Sequence, residues 1–182
     1  MAESLLFTYG APKPINGIQL ITQPIPTYEP EEVGVEFLGN PVNPLDFPVI
    51  HGKYPTKPKS TITGQDGEQW VIPGSDAAGR IIQISSAVSN LAVDDLVILR
   101  AHYRGTWRTH AVFMEEDLIL VPSTVKLHLA SILRMGIASA YFLLREYHNL
   151  EPGDWIIQNA ATGTISHFVY QLARYMASKS LA

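Results

Sequence analysis

The sequence predicts an α+β protein in two parts. A β-rich body spans residues 1–126, and residues 127–182 form a linking helix and the first βα step of a nucleotide-binding sheet. Three observations predict this. Short apolar runs, bounded by Gly, Pro, Asn or Asp, fill the first two thirds. The apolar period then changes to that of a helix. Finally a strand pattern meets a helix through a small-residue turn, which is how an α/β nucleotide-binding unit opens.

Composition bounds the rest. The chain has 182 residues, 46% hydrophobic and 16% charged, which describes a packed protein of one domain or one domain plus part of another. A net charge of −4 without a basic run argues against nucleic acid as a partner. No apolar stretch has the length of a membrane span. The absence of cysteine excludes disulfides, thiol nucleophiles and cysteine-ligated zinc. Histidines stand at 51, 102, 110, 128, 148 and 167, without the spacing of a helical metal pair. No metal site is expected. The start, Met1 to Gly10, is acidic and lacks the apolar core of a signal peptide. Either the protein acts where it is made, or the chain begins downstream of a presequence.

Taken in order, Leu5–Thr8, Ile18–Thr22 and Glu32–Leu38 are strand candidates, the last alternating Val33, Val35, Phe37. Gly10 to Pro14 and Pro24 to Pro30 break them. Asn43–Pro58 follows, with four prolines and a glycine; it reads as a stiff, ordered loop with one helical turn near Leu45–Ile50. The stretch 57–69, with Gly64-Gln65-Asp66-Gly67, reads as a polar surface loop. Val71–Ile84 reads as a turn and a long apolar strand, and small residues from Gly74 to Gly79 permit close backbone approach. Leu91–Leu99, read as a turn into a further strand, and the strands Trp107–Phe113 and Leu118–Val121 complete a small barrel or sandwich. Helical spacing runs from Leu127 to Tyr147, and Gly136 predicts that this helix is split. Pro152-Gly153 turns the chain into a buried strand at 154–160, the loop 161–164 is short, and a helix starts near Ile165 with Ile165, Phe168, Val169, Leu172 and Met176 on one face.

Three stretches carry chemistry. The loop at 43–58 holds Tyr54 between His51-Gly52-Lys53 and Pro55. A phenol with a pKa near ~10 is protonated at neutral pH and can donate. On its own the loop reads more readily as a Pro-rich connector with an exposed aromatic. The turn at 161–165 offers helix N-terminal amides to a phosphate, with Gly163 as its single glycine; a plain βα unit without ligand has the same pattern. Trp107-Arg108 offers a flat apolar face and a fork of donors, or a barrel Trp beside a surface Arg.

Their order is N-P-L-D…H-G-K-Y-P, G-S-D-A-A-G, G-T-W-R-T-H-A and P-G-D-W-I-I-Q-N-A-A-T-G-T. So ordered, the chain resembles the zinc-independent branch of the medium-chain dehydrogenase/reductase superfamily. It is most similar there to the fungal-type mitochondrial trans-2-enoyl-thioester reductases, from about Leu5 onward. The resemblance implies a GroES-like barrel followed by an incomplete Rossmann domain. It implies that NADPH gives a hydride to C3 of an enoyl thioester of CoA or acyl carrier protein, and that Tyr54 protonates C2. It puts Asn43 and Thr162, Gly163, Thr164 and Ile165 at the cofactor and Trp107 at the substrate pocket. It further implies a homodimer, a role in fatty acid synthesis and a mitochondrial location. Two local departures stand out. Gly136 replaces an Asn expected at the cofactor, and Gly74-Ser75-Asp76-Ala77 replaces Gly-Asn-Glu-Gly. The later cofactor-domain elements are also missing, so a weakly active or inactive form is expected. The alternatives are a non-catalytic remnant serving as a dimerisation partner, and a quinone reductase-like enzyme.

Overall fold

The computed structural model describes residues 3–10, 17–63, 67, 69–147, 150–151 and 153–179. It divides into two compact units, residues 1–131 and 132–182.

The first unit is built from antiparallel ladders. Strands β1 (Glu3–Gly10), β2 (Gln19–Pro24), β4 (Thr61–Thr63) and β5 (Gln69–Val71) form one sheet, in the order β2-β1-β5-β4. Strands β3 (Glu32–Gly39), β6 (Ala78–Ile84), β7 (Leu96–Leu99), β8 (His110–Met114) and β9 (Leu118–Leu120) form the second, in the order β8-β3-β6-β7-β9. Residues 107–109 stitch the sheets together. Phe7 N–H donates to Trp107 O at 2.9 Å, Thr109 N–H to Leu5 O at 2.8 Å, and Phe37 N–H to Thr109 O at 2.8 Å. The segment expected as a strand from Trp107 therefore enters regular pairing only at His110, because its first residues serve β1 and β3 at once. Inward residues of the second sheet make the core: Val33, Val35 and Phe37 against Ile81, Val97, Leu99, Phe113 and Leu118. This is the period-two pattern read in β3, now with one face closed from water.

The short helix α1 (Asp46–Ile50) stands where one helical turn is expected. The reading of 57–69 as polar loop is corrected in part: β4 lies inside that stretch and β5 begins at its last residue, while Gly64 to Asp66 and Glu68 lie outside the described residues. Three-residue strands carry too few side chains to show a period, so β4 is invisible in the sequence. The Gly10–Pro14 breaker lies outside the described residues beyond Gly10, as does Pro152.

The helical stretch is split, as Gly136 predicts. Helix α2 (Leu127–Ala130) is followed by a π-helical turn, Leu133–Ala138, and by α3 (Ser139–Arg145). Helix α4 (Thr164–Lys179) packs Val169 against Ala140 and Leu144, with Phe168, Leu172 and Met176 alongside. Ile165, expected on the same face, is corrected: at the first turn of the helix it stands outside that cluster, 38% exposed.

The strand expected at 154–160 is overturned as well. Residues 154–160 form no strand and are not buried: Trp155 is 94% and Ile157 98% exposed. A strand exists only when a neighbour accepts its hydrogen bonds, and among the described residues no ladder includes this segment.

Candidate active site

Asn43 opens the Pro-rich loop with a reciprocal turn. Its backbone N–H donates to Asp46 Oδ2 at 2.7 Å, and its carbonyl accepts from Asp46 N–H at 2.9 Å. Asp46 is only 2% exposed, and Ser75 Oγ donates to its other oxygen at 3.3 Å. Burial raises the Asp46 carboxyl above the ordinary aspartate value and Asp76 adds to the rise, while the bonds from Asn43 and Ser75 oppose it. So anchored, the Asn43 side chain keeps its amide nitrogen buried without a hydrogen-bond partner. An unmatched buried donor costs about 1–3 kcal/mol, so the site retains it against a penalty.

The loop leaves α1 at His51 and Gly52, whose amides close on Phe47 O and Val49 O at 3.0 Å each. It then presents Tyr54, 38% exposed, beside the Tyr103 ring at 6.2 Å between centroids. Tyr103 is buried, holds a left-handed φ of 58°, and accepts Lys59 N–H at 2.9 Å. A tyrosine in that conformation is held by its surroundings. Tyr103 thus backs Tyr54 and ties the far end of the loop.

Trp107 is fixed from four sides. Its backbone N–H donates to Pro73 O at 3.0 Å and its indole N–H to Pro41 O at 3.4 Å. Its ring meets Phe7 edge-on at 6.3 Å and packs on Tyr9, Ile50 and Val71. Gly74 allows this: at φ +97°, a β-carbon there would lie 2.4 Å from Trp107 Cδ1. Asn40 Nδ2 holds the neighbouring carbonyls of Thr106 and Arg108. Trp107 also borders an apolar cavity of about 630 Å³, with Phe7, Leu20, Leu38 and Val42 on its walls. Arg108 borders the same cavity. Its guanidinium lies over Phe113 at 5.6 Å, its Nε is buried without a partner, and burial, aided by the charge of Arg104, lowers its pKa to about 10.

In the second unit, the turn before α4 is compact. Gly163 N–H donates to Ala160 O at 2.8 Å, and Ser166 Oγ to Asn159 O at 3.3 Å. Ala160 takes φ 49°, reversing the chain into the helix. No acidic residue lies in the first turn of α4, so its positive end is unopposed by a carboxylate of its own. The structure therefore places Asn43, Tyr54 and Trp107 in the first unit and Thr162, Gly163, Thr164 and Ile165 in the second. Sequence reasoning passes over Asp46 and Tyr103. The Asn-x-x-Asp spacing is a visible signal for the first. Nothing local marks the second, whose role depends on a contact across 49 residues of chain.

Residues 29–152 match the family model described as the alcohol dehydrogenase GroES-like domain. The chain belongs to that family. Among curated relatives, the mitochondrial enoyl-[acyl-carrier-protein] reductase of Rattus norvegicus is 36% identical over 92% of this chain and 43% of its own length. The mitochondrial enoyl-[acyl-carrier-protein] reductase 1 of Candida tropicalis is 32% identical over 100% of this chain and 50% of its own. Among solved structures, the Etr1p/NADP/crotonyl-CoA complex superposes with a TM-score of 0.90 at 30% identity, over 97% of this chain and 53% of that one. The α+β GroES-like fold is thereby established, and the relatives are enoyl reductases. The chain spans about half the length of the curated relatives it matches.

Proposed function

We propose that this chain contributes the proton-donor site of an NADPH-dependent enoyl-thioester reductase of mitochondrial fatty acid synthesis. The observation that carries the reading is the Asn43–Tyr54 loop. One end presents a buried, unpartnered amide donor and the other a half-exposed phenol, and both ends are pinned. Relatives of the same fold are enoyl reductases, and one was solved with NADP and crotonyl-CoA.

The residues present suit the dinucleotide. Taken unit by unit, Asn43 Nδ2 in the first is a donor whose hydrogen bond a nicotinamide amide would accept, and the start of α4 in the second, at Thr162 to Ile165, is of the kind that receives phosphates. Bound there, NADPH supplies a hydride to C3 of the thioester. Tyr54 holds the proton that C2 needs, and its phenolate recovers one from solvent. Trp107 gives the acyl group a flat, fixed wall. On this reading residues 1–126 are the catalytic domain and residues 127–182 begin the NADPH-binding domain. The full enzyme is proposed to act as a dimer on a CoA or acyl-carrier-protein thioester.

Calorimetric titration with NADPH, followed by turnover of crotonyl-CoA, tests this. Binding is expected, with slow turnover because, among the described residues, segment 154–158 joins no sheet. Tyr54→Phe should lower that turnover by about 10²–10⁴-fold without weakening NADPH. Unchanged turnover removes the donor. Preference for a quinone over crotonyl-CoA moves the substrate class, and failure to bind NADPH leaves a non-catalytic GroES-like module.

A further inference from the structure

We infer that Gly136 is a positioning residue whose missing β-carbon sets the place of the first turn of α4. The consequence for cofactor affinity rests on the reading above; the geometry does not. Gly136 is buried in the π-helical turn Leu133–Ala138, and its N–H donates to Ile132 O at 2.9 Å. It is not among the glycines with positive φ, so its backbone admits any residue. The demand is steric. A β-carbon there would lie 2.9 Å from Thr164 Cγ2, and 3.3 and 3.4 Å from Cε2 and Cδ2 of Phe168.

Thr164 is the first residue of α4. Its methyl sits one bond from Cβ and has little slack, because β-branched side chains are stiff at χ1. A rotamer change would clear the methyl only by turning the hydroxyl away from its present direction. Otherwise the turn itself must move, and with it the Gly163–Ala160 and Ser166–Asn159 bonds that shape the loop. The π-helical register, with its extra residue, brings position 136 this close. Gly136 is therefore no simple loss of the Asn expected there from resemblance. Any side chain at 136 displaces the turn proposed to hold phosphate, so Gly136→Asn should weaken NADPH where a restored cofactor contact would strengthen it.

A double-mutant cycle tests the wedge. Thr164→Ser removes the methyl and keeps the hydroxyl. Amide exchange is followed in the full chain for the parent, Gly136→Ala, Thr164→Ser and the double variant. Gly136→Ala is expected to speed exchange at residues 164–167 by about tenfold while leaving β3 and β6 unchanged, and by under about threefold in the Thr164→Ser background. NADPH titrations of Gly136→Ala and Gly136→Asn should show weaker binding in step. Recovery of folding in the double variant after loss in Gly136→Ala supports the wedge equally. Equal effects in both backgrounds, no effect of Gly136→Ala, or misfolding in both overturn it. A parent that binds no NADPH overturns the cofactor reading, while the exchange cycle still decides the wedge.

Discussion

The two units treat the same kind of sequence differently. In the first, Val33-Gly34-Val35-Glu36-Phe37 finds ladder partners on both sides, in β6 and β8, and its apolar residues close into a core. In the second, Trp155-Ile156-Ile157 is at least as apolar, yet it pairs with nothing among the described residues and stands exposed. The difference teaches that strand character belongs to pairs of segments. β-branched and aromatic residues fit a pleated, half-buried surface, and without that surface the preference has nothing to act on. The first unit brings its surface with it. The second buries one face of α4 on α3 and leaves the 154–158 segment bare.

The sharpest way to break the contrast is to hollow each core. Phe113 packs on Phe37 at 6.0 Å, and the guanidiniums of Arg104 and Arg108 lie over it. Phe113→Ala is expected to cost about 3–5 kcal/mol. Leu144→Ala, in the thinner core of the second unit, is expected at about 2 kcal/mol because its surroundings can collapse more freely. Chemical denaturation with separate probes in each unit reads both. Equal costs would mean that the second unit is packed as well as the first.

Gly74 tests how the first unit fixes its site. Gly74→Ala places a β-carbon against Trp107 Cδ1 and Thr106 Oγ1, each at 2.4 Å, on a backbone with φ +97°. Strain and overpacking together predict a loss of about 2–3 kcal/mol, read as a lowered denaturation midpoint with displaced Trp107 packing in near-ultraviolet dichroism. A neutral result would show that Trp107 is free to shift, and that its wall is not built by this close approach.

Much of this contrast is legible in the sequence, and the reasons are particular. β3 is readable because its alternation survives whatever pairs with it. The split near Gly136 is readable because one glycine interrupts a helical period. The loop at 43–58 is readable because its prolines exclude other structure. What Gly136 touches is not readable, since Thr164 is 28 residues away along the chain. The error at 154–160 has the same origin: pattern reports what a segment could bury, and only a neighbour decides whether it does. Of the proposed site, Tyr54 is found by its loop, whereas Tyr103 behind it is found only in the fold.

Acid titration sharpens the comparison at smaller amplitude, since the anchored loop of the first unit carries a buried carboxylate. Asp46 is raised by burial, so the folded state holds its proton more tightly than the unfolded chain does. The stability this contributes is fully present below the unfolded aspartate pKa of about 3.9, and is lost as pH rises through the higher folded value. Asp46→Asn removes the titration. Its oxygen can still accept Asn43 N–H, and its amide can donate to Ser75 Oγ. Relative to the parent, the variant should therefore gain stability from acid toward neutral pH. A stability difference that does not change with pH would show that Asp46 titrates alike in both states.

The smallest effect is expected where the second unit is most open. Trp155 is 94% exposed, so Trp155→Ser removes almost no buried surface and should change stability by no more than about 0.5 kcal/mol. Its fluorescence should be that of a water-exposed indole and should vanish in the variant without changing the other two tryptophans, Trp70 and Trp107. Both measurements are made at several protein concentrations, because Trp155 and Ile157 together offer an apolar strip that a second surface could cover. An emission that moves to shorter wavelength with concentration, or a larger cost of Trp155→Ser at high concentration, would mean that the segment finds its neighbour by association. Segment 154–158 would then be the same kind of element as β3, differing only in where its partner comes from.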